Sequence, residues 1–270
     1  MQHVSVKCFY YNEDVSWKNA SDIKKAKEYS LDVWKIQLHR DDEAPEEMTA
    51  LLNQKEKERY DRFYKMEDKK RFAAGRTVLK ILLGEYLNRH PETLLINEEA
   101  NKKPFLFHDE KHDLHFNLSH SGECILVAVS KYDVGVDIEF INKNFRYDDI
   151  ITSAFSVEEK EFVKRSSQPE RAFYLLWTRK EALLKGIGQG LVDNLPDIPS
   201  LNGAHHISGW IIETTDSWQV CSFDIGQEYM ASVAYNDEVE KVRFFELNAD
   251  EHSGPDFISY LKTSFEEVKE

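Results

Sequence analysis

Three short segments of this 270-residue sequence carry residue types and spacings suited to phosphate chemistry. The first is Val134-Gly135-Val136-Asp137-Ile138-Glu139. In a strand, side chains alternate between faces, so Val134, Val136 and Ile138 take one face and Gly135, Asp137 and Glu139 the other. The two carboxylates then lie roughly 6–7 Å apart along the strand. An ordinary half-exposed strand with acids facing water has the same pattern, and alone this segment favours that plainer reading. The second is Trp177-Thr178-Arg179-Lys180-Glu181-Ala182-Leu183-Leu184-Lys185. Trp177, Glu181 and Lys185 are four apart and share a helix face. A structural tryptophan followed by a surface Glu–Lys pair would look the same. However, Gly186, Gly188 and Gly190 follow at once and permit close approach of a backbone or a ligand. The third is Phe116-Asn117-Leu118-Ser119-His120-Ser121-Gly122. Read as a turn at 119–122 between two strands, it offers hydroxyls, an imidazole and free backbone N–H groups to an anion.

Together, two strand carboxylates and one helical carboxylate suit a hard cation such as Mg²⁺, which takes a few carboxylates plus water and phosphate oxygens. Lys185, one turn beyond Glu181, would neutralise phosphate charge. That is a site for pyrophosphate or phosphoryl chemistry, where positioning and charge neutralisation dominate. Serine hydrolysis fits poorly, because a histidine adjacent to its serine points elsewhere. Zinc also fits poorly, since His108, His112, His115 and His120 would scatter over both faces of a strand and a loop.

Charge narrows the partners. The formal net charge is −14, from 35 basic and 49 acidic residues. Such a chain is a poor general nucleic-acid binder. Residues 51–80 nevertheless carry ten Lys/Arg against five Asp/Glu. A basic island on an acidic chain points to a compact anion, although a solvated helix of paired charges explains it equally well. No run of 18 apolar residues is present, so no membrane span is expected. The first 16 residues lack a secretory pattern. Cys8, Cys124 and Cys221 are too few and too far apart for a disulfide framework, which fits a cytoplasmic setting.

The elements that must position these segments follow from periodicity. A strand is predicted over 31–38. A helical stretch runs from Pro45 through Leu51, Leu52 and Arg59 towards Phe63. A stronger helix is carried by Ala73, Val78, Ile81, Leu82 and Leu87, with Pro91 just after it. Two strands fill 113–130, the second buried on both faces at 125–129, and another covers 134–140. Ser156 caps a helix over 157–163. A long helix over 171–185 ends at the glycines. Strands follow at 207–214, 218–223, 230–235 and 242–247, then an amphipathic tail at 255–270. No sequence repeat is evident. The order of elements still repeats, which predicts an α+β fold of two similar lobes in pseudo-twofold arrangement. The predicted divisions are an N-terminal extension (1–30), a first lobe (31–132), a second lobe carrying the magnesium site (133–247) and a tail (248–270). With both lobes in one chain, a monomer is expected.

With Asn101-Lys102-Lys103-Pro104 ahead of them, the three segments resemble, in this order, the Sfp-type 4′-phosphopantetheinyl transferases. The resemblance covers roughly residues 31–247. Glu56-Lys57-Glu58-Arg59, Arg71 and Gly75-Arg76 are similar to the family's basic N-terminal helices. It implies coenzyme A in a cleft between the lobes. The phosphopantetheine arm would move to a serine of an acyl or peptidyl carrier protein, with release of adenosine 3′,5′-bisphosphate. By the same resemblance Asp137, Glu139 and Glu181 are the magnesium ligands, and Lys185 lies near the pyrophosphate. Ser119 and His120 hold coenzyme A phosphates, Lys103 lies near the nucleotide, and Arg59 meets the 3′-phosphate. Arg76 and Lys180 complete the basic contacts to coenzyme A. Glu181, or a water on the cation, is the base for the serine. Lys102 stands where the family usually has glycine, and residues 1–30 have no counterpart. Resemblance to the broad-specificity class points towards carriers of secondary metabolism. The alternatives are another magnesium-dependent nucleotide or phosphate-ester enzyme, or a non-catalytic homologue that only binds carriers.

Overall fold

The computed structural model describes residues 3–11, 15–19, 30–38, 46–98, 103–107, 114–190, 192 and 194–247. The tail predicted at 255–270 lies outside them, as do Pro45, Asn101 and Lys102. In chain order the elements are β1 (His3–Tyr10), β2 (Lys18–Asn19), β3 (Ser30–Gln37), α1 (Glu46–Ala50), α2 (Gln54–Arg62) and α3 (Met66–Leu87). Then come β4 (Ile96–Glu98), β5 (Pro104–Leu106), β6 (His115–Ser121), β7 (Cys124–Ser130) and β8 (Val134–Phe140). The rest are α4 (Asp148–Ala154), α5 (Val157–Arg165), α6 (Pro169–Ile187), β9 (Gly203–Ser208), α7 (Gly209–Ile212), β10 (Trp218–Ile225), β11 (Tyr229–Asn236) and β12 (Lys241–Leu247).

Two five-stranded sheets are built, with orders β2-β12-β3-β7-β6 and β8-β11-β10-β1-β9. The core motif is the same in each. A strand leads into helices, and two antiparallel strands return with the later one next to the first: β3-β7-β6 and β8-β11-β10. One apolar core joins the sheets, bringing Leu31, Val33 and Leu126 together with Val136, Phe223 and Val233. In the first sheet, Trp34, Ile36 and Val127 pack with Val78 and Leu82 of α3. In the second, Val6, Trp218 and Val220 pack with Ala182 and Leu183 of α6. No helix among the described residues is long and apolar enough to cross a membrane.

The expectation for residues 1–30 needs correction. β1 is no appendage: it pairs in parallel with β10 and antiparallel with β9, with Val4, Val6 and Cys8 buried. Its alternation of apolar residues fills the second sheet. Conversely, β12 joins the first sheet beside β3, not the lobe in which 133–247 placed it. The first and last strands among the described residues are thus exchanged between the two halves.

Three local differences have clear causes. The helix expected to run from 45 towards 63 is two helices, because Asn53 caps α2. Its side chain accepts from the Glu56 N–H at 2.9 Å, and the Glu56 carboxylate accepts from the Asn53 N–H at 2.8 Å. Ser156 and Glu159 form the same box on α5, as anticipated for Ser156. The strand expected at 207–214 ends at Ser208, where pairing with β1 stops, and α7 follows. The turn expected at 119–122 is instead Gly122-Glu123, with Gly122 in the left-handed region at φ 55°. Ser119, His120 and Ser121 belong to β6 and pair with β7.

Candidate active site

β8 and α6 approach too closely for a side chain between them. A Cβ on Gly135 would lie 2.0 Å from the Ala182 carbonyl oxygen and 2.3 Å from the Gly186 nitrogen. Both obstacles are backbone, so the contact requires glycine. This contact sets the C-terminal part of α6, with Glu181 and Lys185, against the face of β8 that carries Asp137 and Glu139. The sequence-based pairing of those two segments is what the structure brings together.

Asp137 is buried, and its Oδ1 accepts from Lys185 Nζ at 2.6 Å and from Ser119 Oγ at 2.9 Å. Its Oδ2 is buried with no hydrogen-bond partner. Lys185 Nζ also reaches Ser119 Oγ at 3.1 Å, while its side chain stays 30% exposed. Glu139 accepts from Ser121 Oγ at 2.9 Å. Burial, and then the charge of Asp137, push the Glu139 carboxyl up to about 7, against the opposing pull of Ser121 and Lys185. Burial and Asp137 likewise raise the Glu181 carboxyl, opposed by Lys185. The three acids therefore sense one another as like charges. As they stand, no three metal-binding side chains among the described residues converge closely enough to hold an ion.

The other predicted contacts are distributed unevenly. Ser119 and His120 do not act as a pair, since they point to opposite faces of β6. Ser119 turns towards β8, while His120 shares its row with Phe116 and Leu118, which join the core that contains α3. Partial desolvation, and then the charge of Arg71, hold the His120 imidazole below the usual histidine value, and Lys185 adds to this. Arg59 and Arg76 both pair with Glu98 of β4, making a basic group of their own. Lys103 Nζ donates to the Gly186 carbonyl at 2.7 Å and to Asp133 Oδ1 at 3.2 Å. Beside it lies a cavity of about 360 Å³ walled by Phe105, Phe116, His115 and Ile187.

Lys180 must be removed from the set. It is fully buried, pairs with Glu159 at 2.9 Å, and donates to the carbonyls of Leu195 (2.9 Å) and Ile198 (2.5 Å). One residue before Glu181, it is turned about 100° around the helix axis and looks at α5. Its neighbour Arg179 is buried in the same way, on Ser222, Ser200 and Asn202. Of the four histidines weighed for zinc, His115 is bonded to Asp133 at 3.0 Å and His120 lies on β6, while His108 and His112 fall outside the described residues. Two residues missed from the sequence enter here. Ser121 was legible as the period-2 neighbour of Ser119. Asp133 stands at the junction between the halves, and no local pattern marks it.

Comparison with known proteins accords with this geometry. Residues 41–132 match the family model "4′-phosphopantetheinyl transferase, N-terminal", and residues 133–234 match the 4′-phosphopantetheinyl transferase superfamily. The two matches meet where β8 begins. Among curated proteins, the chain is 32% identical over 163 residues to the 4′-phosphopantetheinyl transferase HetI of a Nostoc species, covering 59% of this chain and 69% of that protein. It is 26% identical over 216 residues to the 4′-phosphopantetheinyl transferase Sfp of Bacillus subtilis, covering 76% and 93%. It is 28% identical over 221 residues to the human L-aminoadipate-semialdehyde dehydrogenase-phosphopantetheinyl transferase, covering 74% and 64%. With two lobes of like topology, a carboxylate-rich contact between β8 and α6, and these matches over both halves, the chain belongs to the Sfp-type 4′-phosphopantetheinyl transferase family.

Proposed function

We propose that the contact between β8 and α6 is where this transferase does its chemistry. The pyrophosphate of coenzyme A lies against Asp137, Glu139, Glu181 and Lys185. A carrier serine oxygen bonds to the β-phosphorus, and the bridging bond to the α-phosphate breaks. The products are phosphopantetheinylated carrier and adenosine 3′,5′-bisphosphate. The observation that carries this reading is Asp137 Oδ2, a buried carboxylate oxygen with no hydrogen-bond partner. Buried polar atoms are rarely left so without a reason. A hard cation accepts such an oxygen, and Asp137, Glu139 and Glu181 would hold Mg²⁺ there. When bound, the ion offsets negative charge on the phosphate oxygens. Lys185 keeps one positive charge at the same place, where it stabilises the leaving phosphate. Glu181, on the helix rather than the strand, takes the proton of the attacking serine.

Lys103 and the cavity beside it are the seat assigned to the nucleotide. Arg59 and Arg76 are assigned to the 3′-phosphate, and His120 with Arg71 to a further anion contact. The partner is an acyl or peptidyl carrier, and the protein acts as a monomer. Cys8, Cys124 and Cys221 are free and buried, which accords with a cytoplasmic setting.

The test is carrier modification, read by mass, with coenzyme A and Mg²⁺. Asp137→Ala should abolish transfer. Asp137→Asn, which keeps an oxygen for Lys185 and Ser119, should do so with the fold intact. Wild-type protein should gain thermal stability from Mg²⁺ plus coenzyme A, and both variants clearly less. Wild-type transfer by a folded Asp137→Asn variant would sink the mechanism.

A further inference from the structure

β8 is the outer strand of the second sheet, and three of its N–H groups find no partner in β11. Open donors on an outer strand invite mispairing and are usually covered. Here each donor meets a side-chain oxygen of β6, the outer strand of the first sheet. The Val136 N–H donates to Asn117 Oδ1 at 3.0 Å, the Ile138 N–H to Ser119 Oγ at 3.4 Å, and the Phe140 N–H to Ser121 Oγ at 3.0 Å. All three pairs are separated by 19 residues. A constant offset means that the two strands run parallel in one register, each contributing every second residue. Side chains on one strand replace the backbone ladder that would otherwise join the sheets.

Two of these side chains also face the acids. Ser119 Oγ donates to Asp137 Oδ1, and Ser121 Oγ donates to Glu139 Oε2, both at 2.9 Å. A serine hydroxyl has one proton and two lone pairs. In each serine the proton goes to a carboxylate and a lone pair goes to the next amide of the same strand. Each hydroxyl is therefore oriented by two groups of β8 and cannot turn away without losing one. Asp137 has Lys185 as a second restraint. Glu139 has Ser121. Since Asp137 and Glu139 repel each other on one face, a Glu139 without that hydroxyl would swing towards solvent.

We infer that Asn117, Ser119 and Ser121 form a register seam between the two sheets, and that Ser121 is a positioning residue which aims Glu139 at the cation. The second part rests on the proposed function, in which Glu139 is a ligand. The first part does not, because the seam exists whether or not an ion binds. In this arrangement the single proton of Ser119 is directed at Asp137.

The experiment compares Ser121→Ala with Ser121→Thr, which restores the hydroxyl on a residue suited to a strand. Two quantities are measured. One is amide exchange at Phe140 in metal-free protein. The other is the Mg²⁺ concentration giving half of the thermal stabilisation seen with coenzyme A. In Ser121→Ala, exchange at Phe140 should rise by about tenfold or more, since its acceptor is gone. The half-saturating Mg²⁺ should rise about tenfold, as for other partners that orient a ligand, while kcat at saturating Mg²⁺ falls much less. Ser121→Thr should return both to wild type. If Ser121→Ala does not fold, Ser121→Cys keeps the volume with a weaker acceptor and should shift both in the same direction. Unchanged exchange at Phe140 overturns the seam. Faster exchange with an unchanged Mg²⁺ requirement overturns the positioning of Glu139, as does failure of the threonine to rescue. If Asp137→Asn also leaves the Mg²⁺ response intact, the proposed function itself has failed, and the exchange result still judges the seam.

Discussion

The two halves repeat one structural device and differ in what they place beside it. In the first, Asn53 and Glu56 form the capping box of α2, and the buried Glu56 pairs with Lys80 of α3 at 2.6 Å. In the second, Ser156 and Glu159 form the box of α5, and the buried Glu159 pairs with Lys180 of α6 at 2.9 Å. Lys80 also donates to the Leu51 carbonyl, and Lys180 to those of Leu195 and Ile198. Superposing Lys80 on Lys180 sets Ile81 against Glu181, Glu85 against Lys185 and Tyr86 against Gly186. Tyr86 donates to Asp32 of β3, where Gly186 meets Gly135 of β8. Two residues on, β3 carries Trp34 and β8 carries Asp137; two further, Ile36 and Glu139. One half fills the space between strand and helix with tryptophan and isoleucine. The other brings strand and helix into contact at two glycines and carries acids beside that contact. The buried lysine–glutamate pair is the shared frame, and the proposed chemistry belongs to the copy that has acids where the other has apolar side chains.

The exchange of outer strands is the boldest part of this symmetry to test. Removing residues 1–30 deletes β1 from between β10 and β9. Burial of Val4 and Val6 alone is worth roughly 3–6 kcal/mol, against a net stability of about 5–15 kcal/mol for a whole protein. The two ladders are lost as well. The truncated chain should show no cooperative melt and no transfer. A folded, active truncation would mean that the second sheet does not need its exchanged strand.

Next in size is the glycine contact that distinguishes the halves. Gly135→Ala places a methyl against two backbone atoms that cannot move aside. Overpacking usually costs about 1–3 kcal/mol, and here the cost should exceed that range because no side chain can yield. Catalytic groups displaced by about 1 Å lose on the order of 100-fold in rate. A calorimetric melt and a transfer assay read both effects. A variant of wild-type stability would show that β8 and α6 lie further apart than described.

The two lysines of α6 separate frame from chemistry. Lys180→Met leaves Glu159 charged and buried, at a cost of about 3–5 kcal/mol that Mg²⁺ cannot relieve. Lys185→Met leaves Asp137 with Ser119 as its remaining donor, at a cost of about 1–2 kcal/mol, because the Lys185 side chain is partly open to solvent. Mg²⁺ should return part of that loss while transfer stays low. Urea unfolding with and without Mg²⁺ distinguishes the two variants. Equal responses to Mg²⁺ would erase the distinction between them.

Within single elements the placement of the candidate residues was largely legible. Asp137 with Glu139, and Glu181 with Lys185, follow from periods of two and of about four, which side-chain geometry imposes. The partner of Lys180 was not, because period places a residue on a face without saying what packs there. The repeat was hidden for a related reason. The boxes Asn53-x-x-Glu56 and Ser156-x-x-Glu159 are visible as local signals. However, Glu56 and Lys80 are 24 residues apart, and Glu159 and Lys180 three fewer, so no fixed spacing marks the copies. β1 shows the same limit. The alternation of Val4, Val6 and Cys8 with Ser5 and Lys7 is too short to stand out within residues 1–30, which were expected to be an extension, and its pairing with β10 spans over two hundred residues and leaves no local trace.

The smallest expected effect concerns a glycine of the first half. Gly75 lies inside α3, and a Cβ there would meet the Leu118 methyl carbons at 3.5 and 3.6 Å, an ordinary van der Waals contact. No positive φ is needed at this position. Glycine within a helix costs roughly 0.5–1 kcal/mol relative to alanine, because the unfolded chain has more freedom to lose. Gly75→Ala should therefore stabilise the protein by about that amount, with transfer unchanged. The same substitution at Gly135 should do the opposite. If Gly75→Ala instead destabilises the protein or impairs transfer, then Leu118 is packed tightly enough to pass strain along β6 to Ser119 and Asp137. The packing of α3 on β6 would then bear on the acids of β8 as well as on the stability of the first half. A melt of both variants, side by side with the carrier assay, decides between these outcomes.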